Sequence, residues 1–370
     1  MKIIKNPIKL FFAVLLLIGM FTACEGPQGP AGPQGPAGQQ GDPGPGSVVN
    51  WEGYMEGIQC ATCHSADSDT VYYVAARVLQ WEESKHGSGT AYIENSSTCA
   101  PCHTTEGFVQ QALGQTVTGH MNSSRPGCFA CHSPHARGDF SLRVTDPVTM
   151  LAGIAGEADY TFDYGKGNLC AACHKPRSIS PKPDPTKTAS TDSIVITSSR
   201  WYQHYGVQGL MLSGQSGFEF QGYNYYNSPH TNQQGILDEG CVICHMAQEE
   251  RNPAGGHTMW LDYDGSEMLA GCNTIGCHNG NLEELDYHGV QTEVEELLDS
   301  LGTMLLNRGW ITSSGSVNAS SSNPLVIKPA YLSGAMYNYY FIEHDGSMGV
   351  HNTNYTRLLL ESSIEVLNEN

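Results

Sequence analysis

Apolar residues recur at helical spacing mainly toward the C-terminus. In "TEVEELLDSLGTMLLNRG", Val294, Leu297, Leu298, Leu301, Met304 and Leu305 fall on one face of a 3.6-residue period. Thr292 and Glu295 stand at capping-box spacing before that stripe, and Gly309 is placed to end it. A second helix is predicted from Pro329 to Ile342. A third follows His351 through "YTRLLLESSIEVL". Such stripes are core faces. Alternation of period two is sparse, and "DSIVITSS" at 192–199 is the best strand. The expected fold class is therefore mainly α with extensive irregular loops, little β and a C-terminal helical segment over residues 291–370.

One more apolar run has a different meaning. "LFFAVLLLIGMF" extends from Leu10 to Phe21 behind Lys2, Lys5 and Lys9. It is short for a bilayer span and suits the apolar region of an export signal over residues 1–23. The run closes on Phe21-Thr22-Ala23-Cys24, which resembles a bacterial lipobox with Phe21 in place of the usual leucine. Cys24 would then be lipidated, anchoring an exported lipoprotein in the periplasm or on the cell surface, with the outer membrane favoured. A plain secretory signal with an incidental cysteine is the alternative. Glycine then recurs every third residue from Gly26 to Gly44 among prolines. That is the collagen pattern, read here as an extended stalk over residues 24–46, with trimerisation as the minor alternative.

The formal charge of −19 argues against a nucleic-acid partner, which needs a basic face. The 13 cysteines change the picture far more. Twelve of them stand in a repeated motif. Five copies have the form Cys-x-x-Cys-His. The first is Cys60, Cys63 and His64; the second is Cys99, Cys102 and His103; the third is Cys128, Cys131 and His132. The fourth is Cys170, Cys173 and His174, and the fifth is Cys241, Cys244 and His245. A sixth, "CNTIGCH", is stretched and uses Cys272, Cys277 and His278. Residue frequencies predict about 0.02 strict copies in such a chain. Disulfides would not require the histidine, and zinc knuckles would more often pair two such motifs without it.

The spacing fits covalent attachment of haem. Two thiols along one edge form thioethers with the two vinyl groups, and the following imidazole is carried under the ring to the iron. Six haem c groups would supply apolar faces that offset a modest apolar content, so residues 47–290 are expected to form a hexahaem core packed around porphyrin.

Nine histidines remain: His86, His120, His135, His204, His230, His257, His288, His344 and His351. A lone histidine is more often a polar surface residue than a ligand. Here six irons each have a second face to fill. His135, three residues after His132, cannot reach the opposite face of the same ring and would serve a neighbour. Methionine is the rival ligand; Met246 beside His245 lies on the wrong side and is read as packing.

"WEESKHG" before "STCAPCHTTEGF", "CFACHSPH" with "GDFSLR", "QHYGVQGLMLSG" before "YYNSPHTN", "CVICHM", "GGHTMW" and "DGSMGVHNTNY" together resemble bacterial multihaem c-type cytochromes. That group is related to the cytochrome c nitrite reductase lineage and to surface electron-conduit cytochromes. The resemblance implies distal ligands at His86, His135, His204, His230, His257 and His351. His120 is the reserve; His288 and His344 fit the pattern less well.

Iron with imidazole on both faces passes electrons but has no open position for a substrate. The first expectation is thus an electron carrier of anaerobic or extracellular respiration, tethered to a membrane and exchanging electrons with redox proteins or an extracellular acceptor. A multihaem reductase of a nitrogen or sulfur oxyanion is the alternative, and the lack of any Cys-x-x-Cys-Lys motif weakens it. A third expectation is a homo-oligomer or cytochrome filament. The basic stretch from Lys175 to Lys187, within the proline-rich segment 175–193, is read as a solvated loop that could dock an acidic partner.

Overall fold

The computed structural model describes residues 74–119, 122–133, 140–274 and 276–370, all within the unit Val48–Asn370. Several expectations fall on other parts of the chain. The export signal, Cys24 and the Gly-X-Y run lie outside the described residues. So do all three members of the first attachment motif, Cys60, Cys63 and His64, and two of the spare histidines, His120 and His135.

Helices dominate and strands are short, as the sequence predicts. The first helices are α1 (Val74–Glu83) and α2 (Lys85–Ser88). Next come α3 (Ala100–His103), α4 (Thr105–Ala112) and α5 (Cys128–Cys131). Strands β1 (Val148–Met150) and β2 (Tyr160–Phe162) pair antiparallel, with Val148 opposite Phe162. They escaped the sequence, since neither VTM nor YTF carries the β-branched run that marks Ile194–Ile196. Helices α6 (Gly167–Ala171), α7 (Gln208–Ser213), α8 (Gln234–Glu239) and α9 (Val242–His245) follow.

The expected strand in 192–199 is β3 (Ile194–Ile196). It pairs antiparallel with a distant partner, Leu325–Ile327, and Ile194 and Ile327 are both buried. A third small ladder joins Asp262–Tyr263 to Ser266–Glu267.

The C-terminal stripe becomes α10 (Val290–Asn307), which buries Val294, Leu298, Leu301 and Leu305. It ends in front of Gly309, whose φ of +70° is the left-handed turn that glycine takes without strain. Its start differs from the expected capping box. Asp286 accepts from the N–H groups of Gln291 and Thr292 and from the Thr292 hydroxyl, so the helix begins two residues early. The second predicted helix is a 3₁₀ turn followed by α11 (Ser333–Asp345), buried on nearly every side. The third is α12 (Thr353–Glu369). Helices α10, α11 and α12 touch pairwise, and α11 also meets α7.

Buried amides fasten α11 to the irregular chain. Asn338 is fully buried; its Oδ1 accepts from Phe218 N–H and its Nδ2 donates to Phe218 O and Ser363 Oγ. The proline-rich segment 175–193 carries no helix or strand, yet it is not merely solvated. Ile179 is buried, and Trp201 Nε1 donates to Pro181 O at 2.7 Å.

Candidate functional site

Each described Cys-x-x-Cys-His motif closes on itself in the same way. The histidine N–H donates to the carbonyl of the first cysteine: His103 to Cys99 (3.2 Å), His132 to Cys128 (2.8 Å), His174 to Cys170 (2.8 Å) and His245 to Cys241 (2.9 Å). One α-turn thus gathers two thiols and an imidazole. The stretched motif closes likewise on its first cysteine. His278 N–H donates to Cys272 O at 3.1 Å, and Gly276 takes φ +89° within the longer loop.

The five described motif histidines each face a second imidazole. Ring centroids lie 6.1 Å apart for His174 and His86, and 6.1 Å for His103 and His204. The distances are 6.4 Å for His132 and His257, 6.2 Å for His278 and His230, and 6.3 Å for His245 and His351. The interplanar angles are scattered, from 28° to 76°. A fixed distance with a free angle is unlike ring packing, which selects both. It is what two ligands on one axis give. With metal–imidazole bonds of about 2.0 Å, opposed rings would have centroids about 6.3 Å apart.

Of the six distal candidates, five therefore sit opposite a motif histidine: His86, His204, His230, His257 and His351. His288 lies tilted against Tyr287, with ring centroids 4.0 Å apart, and His344 sits among Tyr202, Tyr205 and Tyr340. Neither faces a motif.

A continuous cavity of about 2250 Å³ is lined by every cysteine and histidine of the five described motifs and by all five opposing histidines. That exceeds the roughly 300–1,000 Å³ of a pocket for one small molecule. The ten described cysteines of these motifs are free thiols. Neighbouring motifs meet through them: Cys102 lies beside Cys173, Cys170 beside Cys241, and Cys244 beside Cys272. The motif at 170–174 thus lies between those at 99–103 and 241–245, and the latter lies next to the stretched one.

Short turns aim the imidazoles. Ser84 caps α2 by accepting from Gly87 N–H at 3.0 Å, which presents His86. Gly87 has no alternative, because a Cβ there would stand 2.1 Å from Trp81 O. His204 itself has φ +63°, an uncommon conformation for a non-glycine residue that the sequence could not disclose. The turn 255–260 serves three pairs. It contains His257, its Met259 O accepts from His245 Nδ1 (3.1 Å), and Met259 Sδ accepts from His86 Nδ1 (3.0 Å). The turn after α11 serves two. It carries His351, and Val350 O accepts from His230 Nδ1 at 2.7 Å. Arg143 ties the α5 motif together, donating to Phe129 O and His132 O.

These second partners fix the tautomer, leaving Nε2 with its lone pair. His103 and His132 follow the rule, through Ala91 O (2.9 Å) and Phe140 O (2.6 Å). His257 departs from the rule, since its Nδ1 is buried without a partner.

Burial keeps most of the set neutral, the form that binds metal. It pushes His86, His245 and His257 down to about 4 and lowers His132, His174, His204 and His230. For His351, burial also pulls downward, but the charge and hydrogen bond of Asp345 outweigh it and the net shift is upward.

The donor set fits haem c: per motif, two thiols on one turn and two opposed imidazoles, around an apolar cavity. It does not fit a zinc knuckle. Among the described residues, no group of three or more His, Cys, Asp or Glu side chains converges on one point. Sequence reasoning missed Asp345, Asn352 and the carbonyls of Val350 and Met259. Backbone acceptors leave no residue signature, and an aspartate six positions before a histidine matches no motif.

No protein-family model matches the chain, and no curated protein matches it. Among solved structures, the outer cell wall cytochrome OcwA is similar, with a TM-score of 0.45 and 18% identity over 79% of this chain and 50% of that one. The chain thus spans half the length of that protein. Among the described residues, no helix is long and apolar enough to cross a membrane.

Proposed function

We propose that the protein is an electron-transfer cytochrome holding six haem c groups, each between two histidines. One observation carries this reading. Five motif histidines oppose five others at 6.1–6.4 Å around a shared cavity lined by the motif thiols.

Haem c supplies a one-electron ferric–ferrous couple. The chain does the rest. Its cysteine pairs would tether each group, and its motif histidines with their opposing partners would bind the iron. The sixth centre falls outside the described residues, and its assignment rests on the sequence alone. Cys60 and Cys63 would attach it, as the other pairs do theirs. His64 and His135 are the two of the twelve axial histidines left over, and we assign them to each other. The nearness of thiols from neighbouring motifs would bring the attachment edges together, which suits hopping over short steps. With both axial positions held, no iron is left open to substrate, and this favours a carrier over a reductase.

The N-terminal sequence supports export, lipidation at Cys24 and a stalk over residues 24–46. The carrier would then exchange electrons at an envelope surface with redox proteins or an extracellular acceptor. The test is a pyridine haemochrome assay with intact mass of the purified chain, followed by EPR of the oxidised form. Six haems and only low-spin ferric signals are expected. A mass without tetrapyrrole adducts ends the proposal, and a stoichiometric high-spin signal turns it toward a reductase.

A further inference from the structure

His351 differs from the other paired histidines in what holds its second ring nitrogen. His103, His132, His230 and His245 donate from Nδ1 to backbone carbonyls. His351 Nδ1 instead meets Asp345 Oδ1 at 2.7 Å, and the Asp345 side chain is 1% exposed. The carboxylate is fixed from two directions. Asp345 is the last residue of α11, and the Ser347 hydroxyl donates to its Oδ2. Ser347 Oγ in turn accepts from His351 N–H at 3.2 Å, which closes a small ring of bonds around the ligand.

We propose that Asp345 is a positioning residue that gives the haem held by His245 and His351 the lowest reduction potential of the row. The inference rests on the haem reading above. A carbonyl presents a dipole to an imidazole N–H, whereas a buried carboxylate presents a full charge in a medium that screens it poorly. The hydrogen bond draws the Nδ1 proton toward oxygen and makes Nε2 a stronger donor. Both effects favour the ferric state, which carries one more positive charge than the ferrous. The Nδ1 proton would stay between His351 and Asp345 in both oxidation states, so an external reductant need supply only one electron.

The place of this centre gives the tuning a consequence. Cys241 lies beside Cys170 on one side, and Cys244 lies beside Cys272 on the other. The motif at 241–245 therefore links the one at 170–174 to the stretched one. A low-potential link makes transfer across it uphill. Electrons then reside on either side of it, and the two arms fill separately.

The test uses the full haem-loaded chain, with haem content fixed by pyridine haemochrome before a mediated spectroelectrochemical titration. Asp345→Asn keeps the shape and removes the charge. We expect the lowest wave to rise by about tenfold in its redox equilibrium constant, or 59 mV for a one-electron couple. The other waves hold their positions, and one low-spin EPR signal changes its g values. Asp345→Glu restores part of the shift. Ser347→Ala relieves the carboxylate of one donor and moves the same wave the opposite way, by less. Loosened packing gives no such opposite sign, and this variant keeps the inference testable if Asp345→Asn does not fold. With full haem content, an unmoved lowest wave in Asp345→Asn overturns the inference. So does a shift spread over several waves with the same sign in Ser347→Ala. A chain without haem fails at the haemochrome step, which overturns the function reading instead.

Discussion

Residues 290–370 carry three long helices that pack on one another, whereas in residues 74–289 short helices and turns line most of a cavity. In the first region Leu301, Leu305, Leu359 and Leu360 are fully buried, and α11 is enclosed between α10 and α12. In the second, the short helices α3, α5, α6 and α9 each contain residues of a Cys-x-x-Cys-His motif, and the cavity of about 2250 Å³ runs past each of them. The contrast teaches where a hydrophobic pattern can be read. A helix that meets another helix needs an apolar stripe at its own period. A loop that meets a porphyrin needs only the attachment residues and whatever conformation brings them there.

The sharpest break of this comparison is to withhold the haem. Produced without thioether attachment, the chain should lose hydrogen-exchange protection throughout residues 74–289, toward the level of open segments, while α10–α12 retain theirs. Hydrogen exchange read by mass spectrometry resolves the two regions in one sample. Equal protection on both sides would mean that the first region folds on protein contacts alone.

Removal of one imidazole comes next. His230→Gly leaves His278 without its opposing ring, so one high-spin ferric signal per chain should appear by EPR. His288→Ala and His344→Ala, at rings that face no motif, should produce none. High-spin iron in either control would mean that the 6.2 Å pairing of His230 with His278 is not the ligand set.

A third test acts on the other region. Leu301 is fully buried within the C-terminal core, and Leu301→Ala should cost about 2–5 kcal/mol, read by denaturant unfolding. The haem optical spectrum and the redox waves should stay in place. Altered waves would show that the helical region does more than brace.

Legibility from sequence follows the same division. The Val294–Leu305 stripe and Gly309 placed α10 within two residues, because helix packing writes itself into the period. Attachment was legible for a different reason: thioether chemistry demands fixed residue types at fixed spacing. The pairing of His174 with His86, or of His132 with His257, was not legible, since partners 88 and 125 positions apart are joined by irregular turns. Nor was the capping of α10 by Asp286, because that bond spans a 3₁₀ turn which no local pattern announces. The orientation of His230 by Val350 O escaped for a plainer reason: any residue supplies a carbonyl.

The smallest effect expected is at the joint between the two regions, where Asn352 is fully buried. Its Oδ1 accepts from Ser228 N–H at 2.9 Å, and its Nδ2 donates to Asn227 Oδ1 at 2.8 Å and to Met211 O at 3.2 Å. It thereby clamps the turn that carries His230 to the turn that carries His351. Asn352→Ala leaves the buried Ser228 N–H unpaired, which should cost about 1–3 kcal/mol. The location of the change matters more than its size. Only the centres of His230 with His278 and of His351 with His245 depend on those two turns, so two low-spin EPR signals should broaden or shift while the others hold. A disturbance of one centre alone would mean that the turns are set independently. A disturbance of all centres would mean that the cavity moves as one body and that the division at residue 290 carries no mechanical meaning.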